Sequence, residues 1–260
     1  ADGERSVSDL AESHLGVSFG SDTQAPSGQL SFDESTPDVM DVTCREALAV
    51  ARIVETVRAG LSSQDMLGLA NDVEMPLNYY VWVVKNAQRA VVVDTGFNEA
   101  MAKKRGRQFL HSPVEGLKQI GIDAGAVKDV IISHMHYDHS GNHGLFPNAQ
   151  FHLQDREMQF VSGRYMTHAA MRLPFDVEDV VAMIRRLYGG RVTFHNGDDQ
   201  IAPGVSVHLV GGHSLGLQMV RVWTRRGWVV LASDAAHYYA NMQLGLAYPF
   251  TVHVGDVLEG

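Results

Sequence analysis

Apolar positions recur along this chain in two rhythms, and each rhythm predicts a kind of element. From Cys44 to Arg58, Ala47, Val50, Ala51, Val54 and Val57 return at intervals of three and four, which predicts a helix. Tyr79–Val84 (YYVWVV) and Ala90–Val93 (AVVV) are short runs of β-branched and aromatic residues. The polar turn Lys85–Arg89 joins them, so they predict a hairpin. Short helices are expected at 99–105, 113–120 and 154–162. Val130–Ile132 reads as a short buried strand. Asp176–Tyr188 has helical periodicity through Val177, Val180, Val181, Ile184 and Leu187, with Asp176 placed to cap it. After Gly189-Gly190 the rhythm shortens, and strands are expected at 191–195, 205–210, 218–223 and 228–232. Strands interleaved with helices in both halves predict a layered α/β protein.

Charge divides the chain. Residues 1–40 carry eight acids and one base, while the other 220 carry 22 acids and 20 bases. The first stretch is rich in Ser, Gly, Asp and Thr and has little periodicity. It reads as an acidic arm, disordered or loosely packed, ahead of a hydrolase-like domain over 41–260. The net charge of −9 argues against nucleic acid or an anionic membrane as partner. No apolar run approaches the ~20 residues of a membrane helix. The single cysteine, Cys44, excludes an internal disulfide and leads us to expect a reducing, cytoplasmic compartment. Ala1, in place of Met, leads us to expect a trimmed start.

Chemistry concentrates in Ser133-His134-Met135-His136-Tyr137-Asp138-His139, directly after the strand at 130–132. Residues two apart in an extended segment point the same way. His134 and His136 can therefore converge on one point, while Asp138 and His139 turn toward another. Neutral imidazole and carboxylate together suit zinc-like cations. Two further candidates follow strands: His213 after Gly211-Gly212, and Asp234 after strand 228–232. A rival motif overlaps the first of these. Gly212-His213-Ser214-Leu215-Gly216 matches G-x-S-x-G, the nucleophile elbow of serine esterases, which needs a helix after the serine. Gln218–Trp223 alternates like a strand instead, and a Ser214 esterase would leave 134–139 without a purpose.

The HxHxDH run at 134–139, GGHSLG around His213 and SDA around Asp234 resemble the metallo-β-lactamase superfamily. Within it, LNYYVWVV, VVVDTGF, SHMHYDHSGNHGLFPNAQFHLQ, GGHSLGLQMVRV and LASDAAHYYANM are most similar to the N-acyl-homoserine lactonases, the quorum-quenching lactonases. The resemblance covers about residues 78–260. It implies a four-layer αββα sandwich with a dinuclear site along one edge. His134, His136 and His213 would hold one ion, Asp138 and His139 the second, and Asp234 would bridge. Asp94, in DTG, would orient a ligand histidine, or be a simple turn cap. The implied cofactors are two zinc ions, with other divalent transition metals open. The implied reaction is opening of a lactone ring by a hydroxide bridging the metals. Asp138 and His237 are the catalytic candidates: His237 would stabilise the oxyanion, and Asp138 or water would protonate the leaving oxygen. His237 stands where well-known relatives resemble one another in carrying a tyrosine.

The resemblance thus implies a small-molecule lactone or ester substrate, with a homodimer left open. Thioester, β-lactam or other ester hydrolysis stays open within the same fold, as does a metal-binding protein with little activity. His136, where an acid is typical of the di-iron redox branch, disfavours that branch. Gly163–Phe175, with Tyr165, Met166, Met171, Leu173 and Phe175, could wall an acyl-chain site or simply pack on the core. His143 could support the site from behind, while His14, His111, His152, His195 and His208 read as surface or satisfied core residues. The resemblance further implies a histidine well downstream of Asp234. Only 26 residues follow Asp234, so the expectation is that residues beyond 260 are missing, with His253 the alternative ligand. A final helix is expected to begin at Leu258-Glu259-Gly260.

Overall fold

Parallel strands need long crossovers, and the chain supplies them where its helical stretches lie. The computed structural model describes residues 41–43, 49–56 and 74–260. The acidic arm at 1–40 lies outside the described residues. Among those described, one sheet has the order β1 (Asp41–Thr43), β4 (Trp82–Lys85), β5 (Ala90–Val93), β7 (Asp129–Ile131), β8 (Gln150–Gln154), β9 (Val192–His195). From β5 to β9 its strands are parallel. Helices α1 (Glu99–Arg105) and α2 (Pro113–Gln119) carry the chain from β5 to β7. Short α3 (Tyr137–Ser140) leads to β8, and α4 (Asp155–Val161), α5 (Ala169–Arg172) and α6 (Val177–Tyr188) lead to β9. Asp176 caps α6, its side chain accepting from the Glu178 N–H.

The second sheet is an antiparallel meander, β10 (Asp199–Ala202), β11 (Val205–Leu209), β12 (Gln218–Thr224) and β13 (Gly227–Leu231). Side-chain alternation tells each sheet which way to face. Val91, Val93 and Ile131 meet Val205, Val207, Val220 and Val222 between the two sheets. Their neighbours Val92 and Val130 point the other way, onto Leu117, Phe151 and Met183 beneath the helices. This is the αββα sandwich that the motifs imply. The chain finishes with α7 (Tyr239–Leu244) and α8 (Val254–Glu259).

Four expectations are corrected. Within the predicted helix at 44–58, residues 49–56 form strand β2 (Ala49–Thr56), and the rest lies outside the described residues. β2 pairs antiparallel with β3 (Glu74–Tyr80) and with β6 (Gln108–Phe109). A short apolar run satisfies both periods, and the β-branched Val50, Ile53, Val54 and Thr56 favour the extended one once partners exist. YYVWVV is not one strand: the chain breaks at Val81, and β3 and β4 join different sheets. Strand β8 was not predicted, because its His152 and Gln154 look like surface residues. Both are buried, with His152 between Asp129 and His195, and Gln154 on Gln218. The final helix starts at Val254, four residues before Leu258.

Ile131 sits at zero exposure at the centre of the interface between the sheets, whereas Tyr188 is 89% exposed. Ile131→Ala is expected to cost about 2–5 kcal/mol by urea unfolding. Tyr188→Ala is expected to stay within about 0.5 kcal/mol.

Candidate metal centre

Strands β5 and β7 run side by side and end at the same edge, which brings Asp94 beside the 133–139 segment. Asp94 adopts φ +62°, a left-handed conformation that a non-glycine residue holds only under constraint. The constraint is visible. The Asp94 carboxylate accepts the Ser133 N–H at 2.7 Å, the Ser133 hydroxyl at 2.8 Å and His139 Nδ1–H at 2.8 Å. His139 therefore presents Nε2 to the cavity. Ser133 Oγ also lies 3.1 Å from His134 Nδ1, and with the proton on Nδ1 the His134 Nε2 keeps its lone pair for the cluster.

In the second sheet β11 and β13 both run against β12, so they too end at one edge. His213 follows β11 and Asp234 follows β13. Gln218 fastens the two edges, its backbone N–H donating to Ser133 O and its side chain to Ile132 O. The result is a tight cluster. His136 Nδ1 lies 2.9 Å from His134 Nε2 and 3.0 Å from His213 Nε2. Asp234 Oδ2 is 3.1 Å from His213 Nε2, while Oδ1 is 3.4 Å from His139 Nε2. Asp138 Oδ2 stands 3.6 Å from His139 Nε2. The groups resolve into His134, His136, His213, Asp234 and Asp138, His139, Asp234, with Asp234 in both.

Burial and the neighbouring imidazoles hold His134 and His136 well below the usual histidine range, so their lone pairs are available at neutral pH. Burial opposes protonation of His139 too, but the carboxylates of Asp234, Asp138 and Asp94 overcome it and hold that ring well above its usual range. Burial pushes Asp138 up, against the pull of His139. These donors fit a divalent cation: ligand nitrogens around a tetrahedral zinc lie about 3.3 Å apart, close to the separations among the three imidazoles.

A buried carboxylate that sequence reasoning missed fastens this cluster from behind. Glu157, on α4, accepts the Met135 N–H at 2.8 Å through Oε1. Its Oε2 accepts the Ser214 hydroxyl at 2.6 Å and the Gly216 N–H at 3.0 Å. One side chain thus ties the His134–His136 segment to the His213 loop. A Cβ on Gly216 would come within 2.1 Å of the Glu157 backbone, so only glycine allows the approach. Ser214 is fully buried and committed to Glu157, and β12, not a helix, follows it; the elbow geometry is absent. The available signal was an acid on the apolar face of a helix, three and four residues before Phe160 and Val161.

The other predicted residues divide. His237 joins the cluster, with Nε2 3.1 Å from Asp234 Oδ2 and its ring stacked on Tyr248 at 3.7 Å. His253 does not: its backbone N–H donates to Gly212 O, but its ring is mostly exposed, caps α8 and faces Asp256. His143 supports the helices instead, its Nε2–H donating to Asp179 O. His152 and His195 are bracketed by Asp129 and Asp199, and His208 pairs with Asp198. A cavity of about 1080 Å³ opens in front of the cluster. Met171, Leu173 and Phe175 from the 163–175 segment line it, whereas Tyr165 packs on Phe160.

Two packed sheets that bring imidazoles and carboxylates to one edge beside a cavity define a hydrolase of the metal-binding kind. The profile of the metallo-beta-lactamase superfamily matches residues 75–258, and the chain belongs to that superfamily. Its fold implies divalent metal binding. The N-acyl homoserine lactonase of Bacillus thuringiensis is 26% identical over 185 residues, 64% of this chain and 68% of that protein. The crystal structure of a quorum-quenching N-acyl homoserine lactone lactonase superposes with a TM-score of 0.66 at 21% identity, covering 86% of this chain and 84% of that one. AidC, a dizinc quorum-quenching lactonase with bound product, gives 0.60 at 15% identity over 85% and 84%. The chain is thus a superfamily hydrolase related to those lactonases.

Burial beside the Arg186 guanidinium pushes His143 down to about 4. Between that value and the ordinary 6.5, the unfolded chain binds a proton that the folded chain refuses, so stability rises with pH across the window. The stability is fully present above 6.5 and is lost as pH falls toward about 4. Urea unfolding of His143→Gln between pH 4 and 7 is expected to show a shallower slope than the wild type.

Proposed function

We propose that the protein is a dinuclear zinc hydrolase that opens lactone rings, N-acyl homoserine lactones or a related class. The observation that carries this reading is the position of Asp234, which turns one carboxylate oxygen to His213 and the other to His139. Under this reading His134, His136 and His213 hold one ion, Asp138 and His139 the second, and Asp234 is shared. Bound there, the ions would acidify water to a nucleophile near neutral pH and polarise the ester carbonyl.

The chain's own groups do the rest. Asp94 keeps the His139 proton on Nδ1 and so leaves Nε2 as a donor pair. Glu157 prevents the two halves of the imidazole set from drifting apart. His237 stands beside Asp234, where an Nε2–H can meet the oxyanion that develops at the substrate carbonyl. Asp138, or water beside it, would relay a proton to the departing ring oxygen. Met171, Leu173 and Phe175 give the acyl portion an apolar wall. Substrate class follows the lactonases that the chain resembles; the cluster itself supports hydrolysis.

Protein purified without chelator is expected to carry zinc by elemental analysis and to open lactones, with activity lost on chelation and regained with metal. Asp138→Ala and Asp234→Ala should each lower the rate about 100-fold or more. Ser214→Ala should lower it about tenfold at most, the low end for groups that steady a ligand from outside. Full activity in metal-free protein, or a dead Ser214→Ala beside an active Asp234→Ala, would overturn the proposal.

A further inference from the structure

Asp234 belongs to both ligand groups, yet no side chain outside the cluster holds its carboxylate. Among the described residues, its oxygens approach ring nitrogens only, those of His134, His139, His213 and His237. Asp94 and Glu157, by contrast, accept backbone N–H and hydroxyl groups. Imidazoles that meet a cation offer it lone pairs, so they cannot at the same time fix Asp234 by donating to it. The direction of this carboxylate must come from the backbone that carries it.

That backbone is constrained in an uncommon way. Asp234 sits in a tight turn after β13, closed by the Ala235 N–H on Ala232 O at 3.1 Å. Ser233 takes φ +50°, where glycine is the natural occupant and a side chain costs energy. Among the described residues one other non-glycine residue is left-handed, Asp94 at φ +62°. The two come from different sheets, Asp94 after β5 and Ser233 after β13, and both bond the same hydroxyl. Ser133 Oγ–H donates to Asp94 Oδ2 at 2.8 Å, and Ser233 Oγ–H donates to Ser133 Oγ at 2.8 Å. The proton count closes. Ser133 has a single O–H, committed to Asp94, so it accepts from Ser233 and from His134 Nδ1–H at 3.1 Å. Glycine would satisfy the turn without strain. What serine adds is the hydroxyl, and that hydroxyl is committed to Ser133.

We infer that Ser233 is a positioning residue for Asp234: its bond to Ser133 holds the turn from which the carboxylate reaches both ligand groups. This rests on the dinuclear reading above and deepens it. Through Ser133 the same bond ties the turn to His134 and to Asp94, which orients His139. His134, His136 and His213 form a set of three imidazoles without Asp234. The ion held by Asp138, His139 and Asp234 therefore depends more on Ser233.

The test exposes the zinc-loaded protein to rising chelator, counts the ions retained by elemental analysis, and follows turnover of a lactone in parallel. Ser233→Gly keeps the left-handed turn and removes the hydroxyl. It should lose the more weakly held ion at about tenfold lower chelator, the low end for groups that orient a ligand from outside, and keep the other within about twofold. It should lower kcat by about the same factor and leave KM within about twofold. Its circular dichroism should match the wild type; loss of the fold would show a structural role and overturn the assignment. A double-variant cycle separates the bond from any other effect of the substitution. With Ser133→Ala already present, Ser233→Gly should change zinc retention by no more than about twofold, because the partner hydroxyl is gone. Wild-type retention of both ions in Ser233→Gly, or the same loss with and without the Ser133 hydroxyl, would overturn the assignment. If the wild type retains a single ion, the dinuclear reading fails. Asp234 belongs to either ligand group, so the cycle on that one ion then decides whether Ser233 positions it.

Discussion

Crowding imidazoles and carboxylates into a dry space is unfavourable unless each is held and oriented from outside, and that constraint organises the rest of this structure. Two buried carboxylates outside the cluster meet it. Asp94 gathers Ser133 and His139 at the end of β7. Glu157 gathers Met135, Ser214 and Gly216 from two segments that are distant in sequence. Each accepts three hydrogen bonds, enough to offset much of the desolvation of a buried charge. Neither faces the pair of ligand groups as a member, yet each fixes the geometry of residues that do.

Topology makes this arrangement possible. Parallel β5 and β7 must end at a common edge, and so must β11 and β13, which both oppose β12. Stacking the two sheets through Val91, Val93 and Ile131 on one side and Val205, Val207, Val220 and Val222 on the other brings those edges together. Gln218 then pins one edge to the other through the Ser133 and Ile132 carbonyls. The apolar interface sets the separation of the sheets, and the polar edge uses it. Repacking the core would therefore reach the cluster through the spacing of the sheets as well as through stability.

How much of this was legible in the sequence depends on the range of the interaction. The 134–139 run was legible because its geometry is local: an extended segment sets His134 beside His136, and the turn into α3 redirects Asp138 and His139. His213 and Asp234 could be placed because each follows a strand. Glu157 could not, since its partners lie about 20 and nearly 60 residues away and its own helix gives only the hint of an acid on an apolar face. The same non-locality explains the misread elements. Ala49–Thr56 fits a helical rhythm until β3 and β6 offer it edges to pair with. His152 and Gln154 look solvent-facing until His195 and Gln218 are found opposite them. The G-x-S-x-G match shows the converse hazard, a local pattern whose meaning is set by the strand that follows it.

The walls of the cavity obey a looser rule than its floor. The floor is made of strand ends, fixed by sheet pairing. The walls come from the 163–175 segment and from the stretch around Tyr248, connections that a fold can vary without disturbing its core. Here they are not independent of the floor. Arg105 grips the Leu173 and Phe175 carbonyls and lies on the Tyr137 ring, while Tyr137 is bonded to Asp138 through the chain itself. On the opposite side Tyr248 stacks on His237, which touches Asp234. Each wall thus bears on one of the two carboxylates of the cluster, Asp138 and Asp234. The lining of the cavity therefore reaches Asp138 by way of Arg105 and Tyr137, and Asp234 by way of His237, although wall and cluster are built from different parts of the chain.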